Sequence, residues 1–247
     1  MNDIKKDKID RHSDELEVES DEKLTGKKIE LDEDRLPSRA MAIHEHIRQD
    51  GEKEMERDAM ALLWSAIAAG LSMGASLLAK GIFHVQLEGV PGGFLLENLG
   101  YTFGFIIVIM ARQQLFTENT ITTVVPLFKP FTLDKLRAVG RLWGIVILCN
   151  IIGTGLASLF FLTTDLFTPN IDKALDELAH HVASFSAIQN LLKGVMSGLL
   201  IAALVWMLPS VSNKFLVIFF MTYLIGLGDF THVVVGSTEM SYLVWQG

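Results

Sequence analysis

The sequence predicts an all-α membrane protein, a bundle of apolar helices behind a charged amino-terminal segment. Three observations carry that reading: where the charge lies, how long the apolar stretches run, and how the loops between them alternate in sign. Of the 247 residues, 1–58 hold 12 Lys+Arg and 19 Asp+Glu, which leaves 9 and 10 for residues 59–247. Soluble domains average about a quarter charged residues, so the second part is too apolar to face water on all sides. That excludes an ordinary soluble enzyme. It also excludes a nucleic-acid binder, because no basic face is available to neutralise phosphates. The single cysteine, Cys149, rules out a disulfide framework and multi-cysteine metal sites, and in its apolar run it reads as a small packing residue.

Taken in order, residues 1–36 read as a disordered acidic tail, since a run such as KKDKIDRHSDELEVESDEK has too little apolar surface to bury. Nothing in residues 1–35 has the apolar core of a signal peptide. Residues 37–58 form an amphipathic helix, with Ala40, Met41, Ile43 and Ile47 on one side and His44, Glu45, Arg48 and Asp50 on the other. Such a helix lies on the membrane surface or covers one end of the domain, the plainer alternative being a charged lead-in. Residues 59–247 are the transmembrane domain. A spanning helix needs about 20 mostly apolar residues, and 59–83, 139–164 and 186–208 each qualify. Gly70, Gly74, Gly153 and Gly155 sit in the first two, where small residues let helices approach closely in lipid.

The two remaining apolar stretches are broken. Residues 94–128 are interrupted by Arg112-Gln113-Gln114 and Thr117-Glu118-Asn119-Thr120, and 214–245 by Gly226, Gly228, Asp229, Thr231 and His232. Polar, irregular backbone at membrane depth is tolerated only where protein buries it or where it lines a cavity. Loop charges then orient the bundle. Residues 129–141 carry four basic residues and one Asp, whereas 84–93 have no Lys or Arg and 165–184 are acidic. The positive-inside rule puts 129–141, 209–214 and the amino terminus in the cytoplasm.

Both breaks contain Phe-Thr followed by an ionisable residue, Phe116-Thr117-Glu118 and Phe230-Thr231-His232, and the two stretches run in opposite directions. This is the pattern of an inverted repeat whose discontinuous helices meet near the midplane. Half-helices starting there aim free N–H groups and positive dipole ends at the centre, which favours an anion. Apolar neighbours Leu115, Phe116, Tyr101, Phe105 and Ile225 would form the constriction. A full charge is costly there, so a proton donor beside the path would help an anion cross, and His232 is the mid-membrane residue suited to that. Thr117 and Thr231, one in each break, join His232 as pore and proton-relay residues, and Arg112, Glu118, Asn119 and Lys193 are secondary polar residues.

These residues resemble the formate/nitrite transporter family, over roughly residues 38–247. Leu115-Phe116-Thr117 matches the family's loop in the second helix, and Phe230-Thr231-His232 matches the fifth-helix break with its central histidine; Gly104 and Gly194 fall where the family has glycine. The resemblance implies an aquaporin-like protomer, a homopentamer with one pore per protomer, and transport of small monocarboxylates across a bacterial inner membrane. The nearest likeness is to a subgroup with a long acidic amino-terminal extension. Three departures stand out. Thr231 replaces a common Glu, Gly198 and Val182 occupy frequently polar positions, and the family has six spans where this chain shows five, the sixth being expected beyond Gly247.

Plainer readings stand beside the sharp ones. His232 is functional by default as an intramembrane ionisable residue, the alternative being a histidine satisfied by backbone. Arg112 and Glu118 are expected to pair as counter-charges. Lys193 either attracts anions to the outer mouth or snorkels to an interface. His180-His181 lack the further ligands a metal needs, no cofactor is implied, and no activated nucleophile suggests catalysis. The alternative to an anion channel is a non-conducting membrane scaffold, or an incomplete product of such a channel, with the acidic tail as docking segment for a cytoplasmic partner. A neutral-solute pore of aquaporin type would need an Asn-Pro-Ala pair, which the breaks lack.

Overall fold

Polar residues start the helices where the apolar runs begin. In the computed structural model, which describes residues 39–128 and 130–247, Arg39–Glu56 forms α1, Ala59–Gln86 α2, Gly93–Glu97 α3 and Thr102–Met110 α4. Then follow Phe116–Leu127 as α5, Leu133–Thr163 as α6, Pro169–Ala183 as α7, Ala187–Met207 as α8, Lys214–Leu227 as α9 and Val233–Gln246 as α10. The Asp58 carboxylate accepts the N–H groups of Met60 and Ala61 at the start of α2. Thr132 caps α6, and Ser186 with Gln189 forms a capping box on α8. The acidic tail, 1–36, lies outside the described residues.

Length and composition make α2 and α6 membrane spans, at 28 and 31 residues, or about 42 and 46 Å at 1.5 Å per residue. Gly93–Met110, which joins α3 to α4, and Ala187–Ser210 are also long and apolar enough, and α9 is a shorter apolar helix. Among the described residues three spans are thus continuous. The second and fifth are each a pair of half-helices, α4 with α5 and α9 with α10.

Close approach of α2 and α6 depends on glycine. A Cβ on Gly153 would run into the Ile67 carbonyl, and one on Gly70 into that of Asn150. Gly104 does the same for α4, since a Cβ there would sit 2.6 Å from Ser76 Oγ. Ser76 Oγ instead accepts from Gly104 N and donates to the Tyr101 carbonyl. The main core joins α2 and α4 to α8, α9 and α10 through Met73, Phe105, Leu115, Ile201, Ile218, Ile225 and Val234.

Two elements differ from expectation. Residues 165–184 contain the 15-residue helix α7, not merely a loop; Pro169 opens it, and Leu175, Leu178 and Ala179 pack on Leu77 and Tyr242. In α1 the buried side is Ile47 and Met55, the latter against Leu127 and Val139, whereas Ala40 and Met41 are exposed. Gly51 permits that contact, because a Cβ there would collide with the Thr122 carbonyl. The helix is therefore laid across α5 and α6, and the apolar positions at its start face outward.

Candidate functional site

Each break opens with the same backbone device. At the end of α4, Arg112 has φ 52°, Arg112 N donates to the Ile109 carbonyl and Gln113 N to that of Val108. At the end of α9, Asp229 has φ 51°, Asp229 N donates to Gly226 and Phe230 N to Ile225. These are two Schellman closures built on left-handed residues that are not glycine. Three residues further on, Leu115 and His232 adopt matching extended conformations, φ −101° ψ 128° and φ −111° ψ 130°, and become the N-caps of α5 and α10. The inverted repeat therefore pairs Arg112 with Asp229 and Leu115 with His232. The shared Phe-Thr of the sequence lies out of register with this pairing, because Phe116 is the first helical residue of its break while Phe230 precedes the cap of the other.

Side chains hold each break from the neighbouring spans. Asn150, fully buried on α6, accepts from Phe116 N through Oδ1 and donates through Nδ2 to the carbonyls of Ala66 and Gln114. It thus satisfies one of the free N–H groups that starting a helix in lipid creates. Gln114 extends the support: its Oε1 accepts from Asn119, its Nε2 donates to Glu54 on α1, and its N–H donates to Ser65 Oγ. In the second break Ser197 donates to the Thr231 carbonyl at 2.6 Å, and the Thr231 hydroxyl donates to that of Asn190.

At the junction, His232 Nε2 and Thr117 Oγ1 lie 2.8 Å apart. Val235 N donates to His232 Nδ1 at 3.4 Å, so Nδ1 is an acceptor and, in the neutral ring, the proton sits on Nε2 and is donated to Thr117. That bond links the first turn of α5 to the cap of α10, so both half-helix amino termini face it. His232 is 1 % exposed and Phe105 0 %, with the rings edge-to-face at 4.9 Å. Leu115 and Ile225 are fully buried in the same core, and the Tyr101 ring packs tilted against Phe105 at 5.5 Å. Phe116 is half-buried against Trp143.

Of the expected site residues, Thr117, His232, Leu115, Phe105, Tyr101 and Ile225 come together. Thr231 does not join them by its hydroxyl, and Asn119 serves Gln114. Arg112 and Glu118 are not paired: among the described residues no ion pair joins them, and both line a vestibule of about 430 Å³ under α1. The left-handed backbone at Arg112 carries that side chain out to an exposed position. Lys193 is neither free at a mouth nor snorkelling; its Nζ donates to Asp229 Oδ2 at 2.6 Å and to the Asp229 carbonyl, and sits 3.7 Å over the Phe185 ring. His181 contacts the other side of the same carboxylate at 3.1 Å.

Asn150, Gln114 and Ser197 do not stand out as site residues in the sequence. The available signal was an amide in the apolar run ILCNII, where an unpaired polar group is expensive. The register of the repeat, by contrast, needed the backbone angles.

A bundle with two half-helices meeting at one buried histidine defines a membrane transport protein, and residues 41–247 match the formate/nitrite transporter family. The chain belongs to that family, whose members are transporters and channels rather than enzymes. It is 64% identical over 242 residues to the inner membrane protein YfdC of Escherichia coli (strain K12), covering 98% of this chain and 78% of that protein. The fold is similar to a pentameric formate channel with formate bound, at TM-score 0.66 and 20% identity over 73% of each chain. It is equally similar to an FNT family ion channel, at TM-score 0.66 and 16% identity over 81% and 82%.

Proposed function

We propose that this protein is a homopentameric channel of the bacterial inner membrane for small monovalent anions of the formate type, with one pore per protomer and transport linked to protons through His232. The observation that carries the reading is the hydrogen bond from His232 to Thr117, between two half-helix amino termini and inside an apolar sleeve. An approaching anion is attracted by the dipole ends and the first-turn N–H groups. Its charge resists entry into the constriction formed by Phe105, Leu115 and Ile225. Once Nδ1 takes up a proton, the imidazolium can pass Nε2–H, already directed across the junction, to the anion, so that the neutral acid crosses and the ring is left neutral. Thr117 holds the ring in the orientation this requires.

Formate flux into proteoliposomes, followed over a pH series, tests the mechanism. Flux should rise with acidity, and His232→Asn should remove that dependence while keeping a hydrogen-bonding amide. An unchanged pH profile in His232→Asn would overturn the proton role, and absence of formate flux in the unaltered protein would overturn the channel reading.

The loop charges support an amino terminus in the cytoplasm, which places α1 and the 430 Å³ vestibule on that side and α7 outside. Single-cysteine variants on a Cys149→Ala background, labelled in intact cells with an impermeant thiol reagent, check this. Positions in 84–93 and 165–184 should label and positions in 129–141 should not.

A further inference from the structure

On the α7 side of His232, a second cavity of about 20 Å³ is lined by Tyr101, Glu239, Lys80, His181, Asp229 and His232 itself. Two of its groups are anomalous. Glu239 is 6 % exposed on α10, two turns after His232, and among the described residues no hydrogen bond or ion pair reaches its carboxylate. Tyr101 is also 6 % exposed, and its hydroxyl is a buried polar atom without a partner. Native interiors rarely leave such groups unsatisfied, and a buried orphan marks a missing water or a functional role. The cavity measures more than the ~10–15 Å³ that one water needs. A carboxyl group and a phenol directed at it supply the polar partners that hold a water in place.

We infer that Glu239 is a second proton-carrying residue, joined to His232 by one water held in this cavity by the Tyr101 hydroxyl. The inference rests on the proton-linked reading of His232 and extends it to the side from which the proton returns. The geometry of His232 suits such a path. Nε2–H is committed to Thr117, while Nδ1 has only the long contact from Val235, so Nδ1 is the ring nitrogen left to accept a proton. In the step, the Glu239 carboxyl gives its proton to the water, and the water gives one of its own protons to Nδ1. The imidazolium then releases Nε2–H to the anion, leaving the ring in its other neutral tautomer. Protons and charge balance, and Glu239 is reloaded from the bath beyond α7.

The groups around Glu239 are few. From α2 comes Lys80, 3.9 Å from Glu97; from α7, His181, bound to Asp229 in the second break. Tyr101 enters ahead of α4, and α6 meets α10 through the neutral Thr154 and Ser158, which bond to Ser237 and the Thr238 carbonyl. Entry of a proton is therefore a local exchange among a few groups rather than the response of an acidic surface.

Two measurements on the full chain in proteoliposomes test this. In the first, formate flux and lumenal pH are followed together across an acid series for the unaltered protein, Glu239→Gln and Tyr101→Phe. Glu239→Gln keeps the shape and hydrogen-bonding capacity of the side chain but cannot carry a proton, so acid-stimulated flux should fall about a hundredfold, the lower end of the range general acid–base groups contribute. Tyr101→Phe should lower it less. In the second, infrared difference spectra between acid and neutral pH should show a protonated carboxyl band that Glu239→Gln removes, which also establishes titration in a variant that folds. Wild-type acid stimulation in Glu239→Gln, or a carboxyl band unaffected by the substitution, would overturn the inference. The infrared result stands even if the protein carries no formate, so failure of the relay and failure of the anion-channel reading are distinguishable.

Discussion

Thr117 and Asn150 carry more of the site than their size suggests, because each satisfies groups that lipid cannot. Thr117→Val keeps the shape of the side chain and removes the acceptor for His232 Nε2–H; a buried donor left unpaired costs about 1–3 kcal/mol. The thermal midpoint in detergent should therefore fall for Thr117→Val and be largely kept by Thr117→Ser. Equal midpoints would show that the bond adds nothing to stability. Asn150→Leu should be worse, since it strands Phe116 N–H and the carbonyls of Ala66 and Gln114 together. The paired left-handed residues make a sharper comparison. A non-glycine residue in that conformation costs about 1–2 kcal/mol, offset in part by the extra unfolded-state freedom of glycine. Arg112 is exposed, so Arg112→Gly should be neutral or stabilising by up to about 1 kcal/mol. At the equivalent position Asp229→Gly also loses Lys193 and His181, and should destabilise. The same substitution at two equivalent positions is expected to have opposite signs.

Among the elements, the α2–α6 crossing is the most sensitive to added volume. Gly153→Ala forces the helices apart at the point where Asn150 reaches across to Ala66, at about 1–3 kcal/mol for overpacking. Gly140→Ala on the exposed start of α6, with open space around it, should instead be neutral or slightly stabilising. A similar loss for both would remove the crossing as the cause. In α1 the Arg48 guanidinium, helped by the Gln49 amide, holds the Glu45 carboxyl down to about 2. A depressed carboxyl stabilises the folded state above its ordinary range and loses that contribution as pH falls through about 2; the group is solvent-exposed, so the effect is small and confined to the helix itself. The continuous spans, both breaks and His232 are legible in the sequence because a run of twenty apolar residues has little choice but to cross lipid, and Gly and charge within it must break the helix at depth. The anchors are not, since what makes Asn150 matter is the helix it meets rather than the residues beside it. The repeat register misleads for the same reason: Phe-Thr recurs by composition, whereas the backbone repeats at Arg112 and Asp229. Helix α7 is hidden because its net acidity resembles a loop while Leu175 and Leu178 face the bundle.

At the scale of the whole molecule, wide apolar faces remain uncovered on the single chain, with Leu148, Ile152, Leu191, Leu192 and Val195 all exposed. Faces of this extent require lipid or neighbouring copies. Light scattering of the solubilised protein, corrected for detergent, should give the mass of five chains, and a monomer would remove the pentamer. The junction of the two half-helices has one more consequence. On the proposed route Thr117 and His232 touch each other, so anything passing there would have to part them and stand between two groups that both want a partner. A formate ion, its acid or a water molecule can take up both hands at once. A xenon atom cannot, although it is compact, and sites that demand such replacement reject molecules lacking the matching groups far more strongly than sites that judge by width. The closure then works as a question about chemistry, not a measure of bore: trimming Phe105 to leucine should admit longer acids well before it admits inert gas.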